Sequence, residues 1–262
     1  MKKSIFVFAV SFILFAAYNG CKKESDISTG PVPTENYFPS NEGTNYKFSY
    51  QRDSSGIMSS GIRTTYYKGT KTIQGTVYQI QIDSLISSLL LSVDSSYFRT
   101  SVSGVYYFLD TTGLAASIED STLLLFLPYL VVDKELLAYS LPIQVGRAWT
   151  AFKINLNFPG LPVTSLVDLS AAAVGKETIS LNLSGGTVNK EAVKIRFTLT
   201  LRINPLSTVT QTFTADAWLV QDIGPAKWDG CGTIVNFFTG LGINFADTSV
   251  VVRQSLIDYQ IK

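Results

Sequence analysis

Residues able to do chemistry are scarce in this chain. Its 262 residues include no histidine and two cysteines, Cys21 and Cys231. Without histidine, the commonest general base and the commonest neutral metal ligand are both missing. Cys231, in Asp229-Gly230-Cys231-Gly232, therefore has no imidazole to activate it as a nucleophile. It reads as a buried or idle thiol. The carboxylates Asp216, Asp222 and Asp229 are close in sequence, and a carboxylate pair could run glycoside hydrolysis. They also fit ordinary strand and turn positions, so no catalytic residue is assigned. No EF-hand loop, CxxC or HExxH occurs, and no metal or cofactor is expected. Ser184-Gly185-Gly186-Thr187 lacks the lysine and spacing of a phosphate loop and reads as a hairpin turn.

The other cysteine has a telling position. Met1-Lys2-Lys3 is basic, and Ile5–Ala17 is an apolar run of 13 residues broken only by Ser11. That length suits a signal-peptide core and is short for a spanning helix. The run leads to Ala17-Tyr18-Asn19-Gly20-Cys21, which resembles a bacterial lipoprotein signal. In such signals a small residue precedes a cysteine that is acylated and becomes the new N-terminus. The resemblance implies cleavage after residue 20, acylation (palmitate among the chains) at Cys21, and anchoring in the outer membrane. Tyr18 departs from the pattern, which usually has an aliphatic residue there. Lys22 replaces the aspartate that commonly signals inner-membrane retention. Lys22-Lys23-Glu24-Ser25-Asp26 is similar to the charged tether of surface-exposed Bacteroidetes lipoproteins. Each acyl methylene buried in a bilayer is worth roughly 0.8 kcal/mol, so several chains make a durable anchor.

Residues 21–36 are Lys, Glu, Ser, Gly, Pro and Thr with almost nothing apolar, the composition of a solvated spacer. From residue 37 to 262 a single domain is expected. Hydrophobic content of 46% against 16% charge suffices for a packed core. Without Lys2 and Lys3 the 21 basic residues fall to 19 against 20 acidic ones, a net charge of −1. That balance lacks the clustered positive excess of a nucleic-acid binder.

Strand periodicity runs through this domain. Tyr46, Phe48 and Tyr50 alternate with polar residues, as do Tyr78, Ile80 and Ile82. Strands are also expected around Tyr66-Tyr67, ending at Lys68-Gly69, and at Leu89–Val93, Tyr97–Thr100 and Gly104–Leu109. Further on, they are expected at Phe152–Phe158, Leu166–Ala173, Glu177–Leu183, Val193–Ile203, Phe213–Leu219 and Val250–Lys262. The stretch 115–140 breaks the rhythm. Ser117-Ile118-Glu119-Asp120 has the spacing of a capping box, and Leu123–Val132 is the most hydrophobic segment after the leader. Pro128 bars a central strand or an unbroken helix through it, so short helical turns or a flap packed on the sheet are expected.

Two motifs recur. Tyr37-Phe38-Pro39, Gly43 and Tyr46 match Leu141-Pro142, Gly146 and Trp149 in spacing, and the hairpin-like stretch Tyr97–Tyr107 matches Trp218–Trp228 in outline. The chain thus reads as one unit written twice, with halves at about 37–113 and 141–230 and an apolar insertion at 115–140. The expected fold is all-β, an antiparallel curved sheet, half-barrel or sandwich, with at most a short helical insertion.

These motifs, with Asp222-Ile223-Gly224-Pro225-Ala226-Lys227, are similar to uncharacterised lipoproteins of Bacteroidetes-like bacteria. Pro225 stands where an aliphatic residue is usual. The resemblance brings no activity and no functional residues. The lipoprotein carriers LolA and LolB are a more distant architectural likeness. The functional expectation is a non-enzymatic envelope lipoprotein acting as a binding or interaction module. Its partners would be the membrane, through the anchor, and an apolar small molecule or an envelope protein. A narrower form places a lipid under the Leu123–Val132 flap. The competing class is a carboxylate-dependent, glycan-directed envelope hydrolase.

Overall fold

Burial alternates along one strand after another, and most strands pair with the next one in sequence. The structure, a computed structural model, describes residues 35–110, 126–160, 162–202, 208–239 and 248–262. The first six strands are β1 (Asn45–Ser54), β2 (Ile57–Ile73), β3 (Thr76–Ser87), β4 (Leu91–Ser101), β5 (Gly104–Phe108) and β6 (Leu130–Val132). Then come β7 (Glu135–Ser140), β8 (Ala148–Leu156), β9 (Thr164–Leu183), β10 (Gly186–Leu201), β11 (Gln211–Val220), β12 (Gly224–Cys231) and β13 (Val251–Gln260). A short helix α1 (Gly232–Phe237) follows β12.

These thirteen strands form one antiparallel sheet in the order β6-β8-β9-β10-β11-β12-β13-β1-β2-β3-β4-β5-β7. The all-β curved sheet expected from periodicity is what forms, and it does not close into a barrel. Its succession is two six-stranded meanders, β1–β5 with β7 and β8–β13, joined where β13 pairs with β1. The two edges approach each other: β7 lies against β8. There the Trp149 indole Nε1–H donates to the Leu137 carbonyl at 3.0 Å. One side of the sheet faces a single core that holds Phe98, Phe152, Phe197, Trp228 and Tyr139, each at most 2% exposed.

The recurring motifs occupy matching places. Gly43 N donates to Tyr67 O at 3.0 Å, and Tyr67 N returns to Thr44 O at 3.1 Å. Gly146 N donates to Ala173 O at 2.7 Å, and Ala173 N returns to Arg147 O at 2.9 Å. Both glycines have φ of 88°, a left-handed conformation that a Cβ strains. In each meander this turn locks the first strand onto the second. The second recurring pair, Tyr97–Tyr107 and Trp218–Trp228, forms the β4–β5 and β11–β12 hairpins.

Several boundaries differ from expectation. β2 continues through Lys68-Gly69, where Gly69 adopts φ of 54° and the register with β3 shifts between Tyr67 and Thr70. A bulge absorbs the turn signal there, because β3 continues alongside. The two strands expected at Leu89–Val93 and Tyr97–Thr100 are one, β4, with Leu89 and Leu90 in the turn before it. The segments on either side of Gly175 are also one strand, β9, since Val174 bulges out opposite Lys194/Ile195. Within 115–140, the capping-box stretch and Leu123–Leu125 lie outside the described residues. Leu127–Tyr129 is a single 3-10 turn starting with Pro128 as its second residue. The rest is not an insertion: β6 pairs with β8 at the edge, and β7 completes the first meander.

Replacing Gly146 by alanine should cost about 1–2 kcal/mol, since its strain is conformational and no atom crowds the new methyl. Gly175→Ala, at a position without positive φ and with open space around it, is the control and should be close to neutral. Urea unfolding of the two variants measures the difference.

Candidate functional site

The core-facing side of the first meander carries charge. Arg63 on β2 and Asp83 on β3 are 4% and 3% exposed. Both point inward because strand alternation places them in line with Thr65 and Leu85, which are also buried. Asp83 Oδ1 accepts from Arg63 Nε at 3.0 Å, Arg63 Nη2 at 2.5 Å and the Thr65 hydroxyl at 2.6 Å. Its Oδ2 accepts from Gln81 Nε2 at 2.6 Å. Arg63 Nη1 donates to Gln254 Oε1 of β13 at 2.8 Å, and the Tyr107 hydroxyl of β5 donates to Gln81 Oε1 at 2.7 Å. Gln81 Nε2 also reaches the Phe238 carbonyl just past α1, at 3.2 Å. One network therefore joins β2, β3, β5, β13 and the end of α1.

Most of this network is satisfied internally, the exception being Gln254 Nε2, which is buried without a hydrogen-bond partner among the described residues. Both Asp83 oxygens are engaged by protein donors, three on Oδ1 and one on Oδ2. A cavity of about 20 Å³ adjoins it, walled by Arg63, Thr65, Gln81, Tyr67, Tyr107 and Tyr139 among others. That is room for a water and far too little for an acyl chain. The rest of the concave side is filled by α1, all six of whose residues are buried. Phe238, next to it, packs on Phe197, Trp228, Tyr107 and Tyr139. The apolar segment that covers the inside of the sheet is thus Ile234–Phe238. Leu123–Val132 was expected there, and its described part instead packs at the β8 edge, with Tyr129 and Phe126 against Phe158. A second opening, of about 500 Å³, lies at the β1–β2 and β3–β4 turn end of the sheet. Arg52, Asp94, Ser92 and Asn236 line it, with Leu89 and Leu90 among its other residues.

The residues singled out from sequence separate as follows. Cys21 lies outside the described residues. Asp216 and Asp229 face each other across β11 and β12 on the outward side. Arg196 grips Asp216 at 2.8 and 3.0 Å, with Lys194 at 2.9 Å, and Arg253 pairs with Asp229 at 3.3 Å. Burial raises the Asp216 pKa, but the hydrogen bonds from Arg196 and Lys194 outweigh it and hold the carboxyl below its ordinary 3.8. Asp216 therefore stays ionised and does not supply the neutral acid that glycoside cleavage needs. Asp222 sits apart, in the β11–β12 turn at φ of 59°, and its N–H donates to Asn36 O at 2.7 Å. Cys231 is a buried thiol donating to Thr248 O at 3.6 Å. Among the described residues, no group of three or more His, Cys, Asp or Glu comes together to hold a metal. Sequence reading missed Arg63 and Asp83. Arg63 stands among small residues, Ser59, Gly61 and Thr65, whereas Asp83 follows Gln79 and Gln81 on the face that the alternation of Tyr78, Ile80 and Ile82 marks as polar, so β3 turns Gln81, Asp83 and Leu85 inward against its pattern.

No family model matches the chain, and no curated protein matches it. Two solved structures align with most of the chain. One is a protein of Parabacteroides distasonis described as a lipoprotein, at 11% identity over 87% of this chain and 100% of that one, with a TM-score of 0.43. The other is described as an exported protein with a YmcC-like fold from Bacteroides fragilis, at 11% identity over 86% of this chain and 99% of that one, with a TM-score of 0.44.

Breaking the buried pair from one side leaves an uncompensated charge. Arg63→Met or Asp83→Leu alone should each cost about 3–5 kcal/mol, while the double variant should recover a large part of that; denaturant unfolding of all three checks it. Burial also pushes the hydroxyls of Tyr46, Tyr67, Tyr107 and Tyr139 above their ordinary 10.0. A raised folded-state pKa means stability that is complete below pH 10 and is lost as pH rises beyond it. Tyrosinate absorbance of these four should therefore appear together with loss of the β-sheet circular-dichroism signal, not before it.

Proposed function

We propose that this protein is a non-enzymatic envelope lipoprotein. Acylation of Cys21 holds it at the outer membrane, the residues after it act as a spacer, and the curved sheet is an interaction module. The observation that carries this reading is the Cys21 position, directly after a basic start and the 13-residue apolar run Ile5–Ala17. The fold supports a non-catalytic role. Its buried charged groups are consumed by one another, and the outward carboxylates Asp216 and Asp229 are matched to Lys194, Arg196 and Arg253. Recognition then falls to the outer face and the open end of the sheet, because side chains fill the core-facing side. Among the described residues no helix is long and apolar enough to cross a membrane. Acyl chains would supply the anchorage instead.

Metabolic labelling with an alkyne fatty acid should tag the parent chain and leave Cys21→Ser untagged. The same substitution should move the protein from the membrane pellet to the soluble fraction. Labelling that survives Cys21→Ser would refute the anchor.

A further inference from the structure

The two meanders differ on their outward face. In the second, outward positions of β9, β10 and β11 carry Asp168, Lys194, Arg196 and Asp216, as a solvated face does. In the first, the corresponding outward positions of β2, β3 and β4 carry no charge across their central stretch. Towards the β3–β4 turn they hold Met58, Ile62, Ile86, Leu91 and Val93, with the small polar Ser60, Thr64 and Ser84 between them and Leu89 in the adjoining turn. Ile86 is 63% exposed, Leu91 75% and Val93 69%. Ile62, Ile86 and Leu91 stand in one cross-strand row. The second meander shows that the fold itself does not require apolar residues there. An exposed apolar area of this kind marks a surface that is covered by something else.

We infer that this face of β2–β4 lies on the lipid bilayer. The inference rests on the anchoring of Cys21 proposed above. Charge favours it: the only acids on these three strands, Asp83 and Asp94, take inward positions, so no carboxylate faces outward. The rim is suited to a headgroup region. Tyr66 and Tyr97 flank the apolar row, and Lys71 lies over the Tyr97 ring at 4.5 Å with its ammonium 3.2 Å from the hydroxyl. Tyrosine and lysine with apolar stems and polar tips concentrate at that depth. Reach favours it too. Residues 21–34, 14 in number, precede the described chain, and fully extended they span about 50 Å. The chain joins the sheet where Asn36 meets Asp222, at the β11–β12 turn. Starting three residues along β12 from Gly224 at that turn, Lys227, Ser255, Ser49, Ile62, Ile86 and Leu91 form a continuous row across the sheet. Five strand spacings make that roughly 24 Å, well inside the spacer's span. The bilayer that takes the acyl chains can therefore take this face as well.

The test uses the acylated full-length chain in phosphatidylethanolamine–phosphatidylglycerol vesicles, with and without brominated acyl chains. Leu91→Trp reports on the apolar face and Lys190→Trp on an exposed position of β10. Bromolipid should quench the Leu91→Trp signal above the background of the three native tryptophans and leave Lys190→Trp at background. Adding Ile86→Glu to Leu91→Trp should weaken docking about tenfold, the loss of one large apolar contact. Equal quenching at both positions overturns the inference. So does a stable dimer in sedimentation that shields Leu91→Trp without lipid, which would make a second copy the occupant. The two readings fail separately. An acylated chain with Leu91→Trp unquenched keeps the anchor and removes the docking face. A chain never acylated, whose Leu91→Trp is still quenched on vesicles, removes the anchor and keeps the face.

Discussion

Burying a guanidinium and a carboxylate in the middle of an aromatic core is costly unless both are fully matched, and that requirement organises the first meander. Asp83 needs Arg63, Thr65 and Gln81 at once, and Gln81 in turn needs Tyr107 and the Phe238 carbonyl. A one-residue slip of β2 on β3 would turn Arg63 outward and leave Asp83 alone in the core. The pair adds little net stability compared with apolar replacements. Its effect is selective: it penalises other registers, and it ties the position of α1 to strands far from it in sequence.

The same constraint accounts for how the inside of the sheet is used. With β13 bonded to β1, the two meanders share one concavity. The link between β12 and β13 supplies the residues that fill it, Ile234, Val235, Phe237 and Phe238, all nearly inaccessible. What remains beside the ion pair is a water-sized polar space. The outer face is free of such demands, so its chemistry can diverge. The second meander spends it on ion pairs, with Trp218 held between Lys194 and Lys227 at 4.8 and 4.6 Å from its ring. The first leaves the end near its β3–β4 turn apolar.

Much of the fold was legible in the residues because strand alternation is a local property. Val193, Ile195, Phe197, Leu199 and Leu201 are all buried, as their alternation with Lys194, Arg196, Thr198 and Thr200 implies. The paired glycine turns were legible as well, since proline, glycine and an aromatic at fixed spacing describe one backbone path. Turn signals misled where a neighbouring strand continued past them, at Gly69 and Gly175. There the backbone bulges, because ladder hydrogen bonds on both sides outweigh a single residue's preference.

By itself, then, the sequence determined the all-β class, the repeated openings and the buried face of most strands, though not of β3, where Gln81, Asp83 and Leu85 turn inward. All of these depend on spacing along the chain. Tertiary structure alone decided that Arg63 and Asp83 meet, that Gln254 and the end of α1 join them, and that Asp216 is held by two cations. It also decided that Ile62, Ile86 and Leu91 of three strands stand in one outward row. These are relations between strands brought together by register, and register is set by the packing of the whole sheet, not by any one segment.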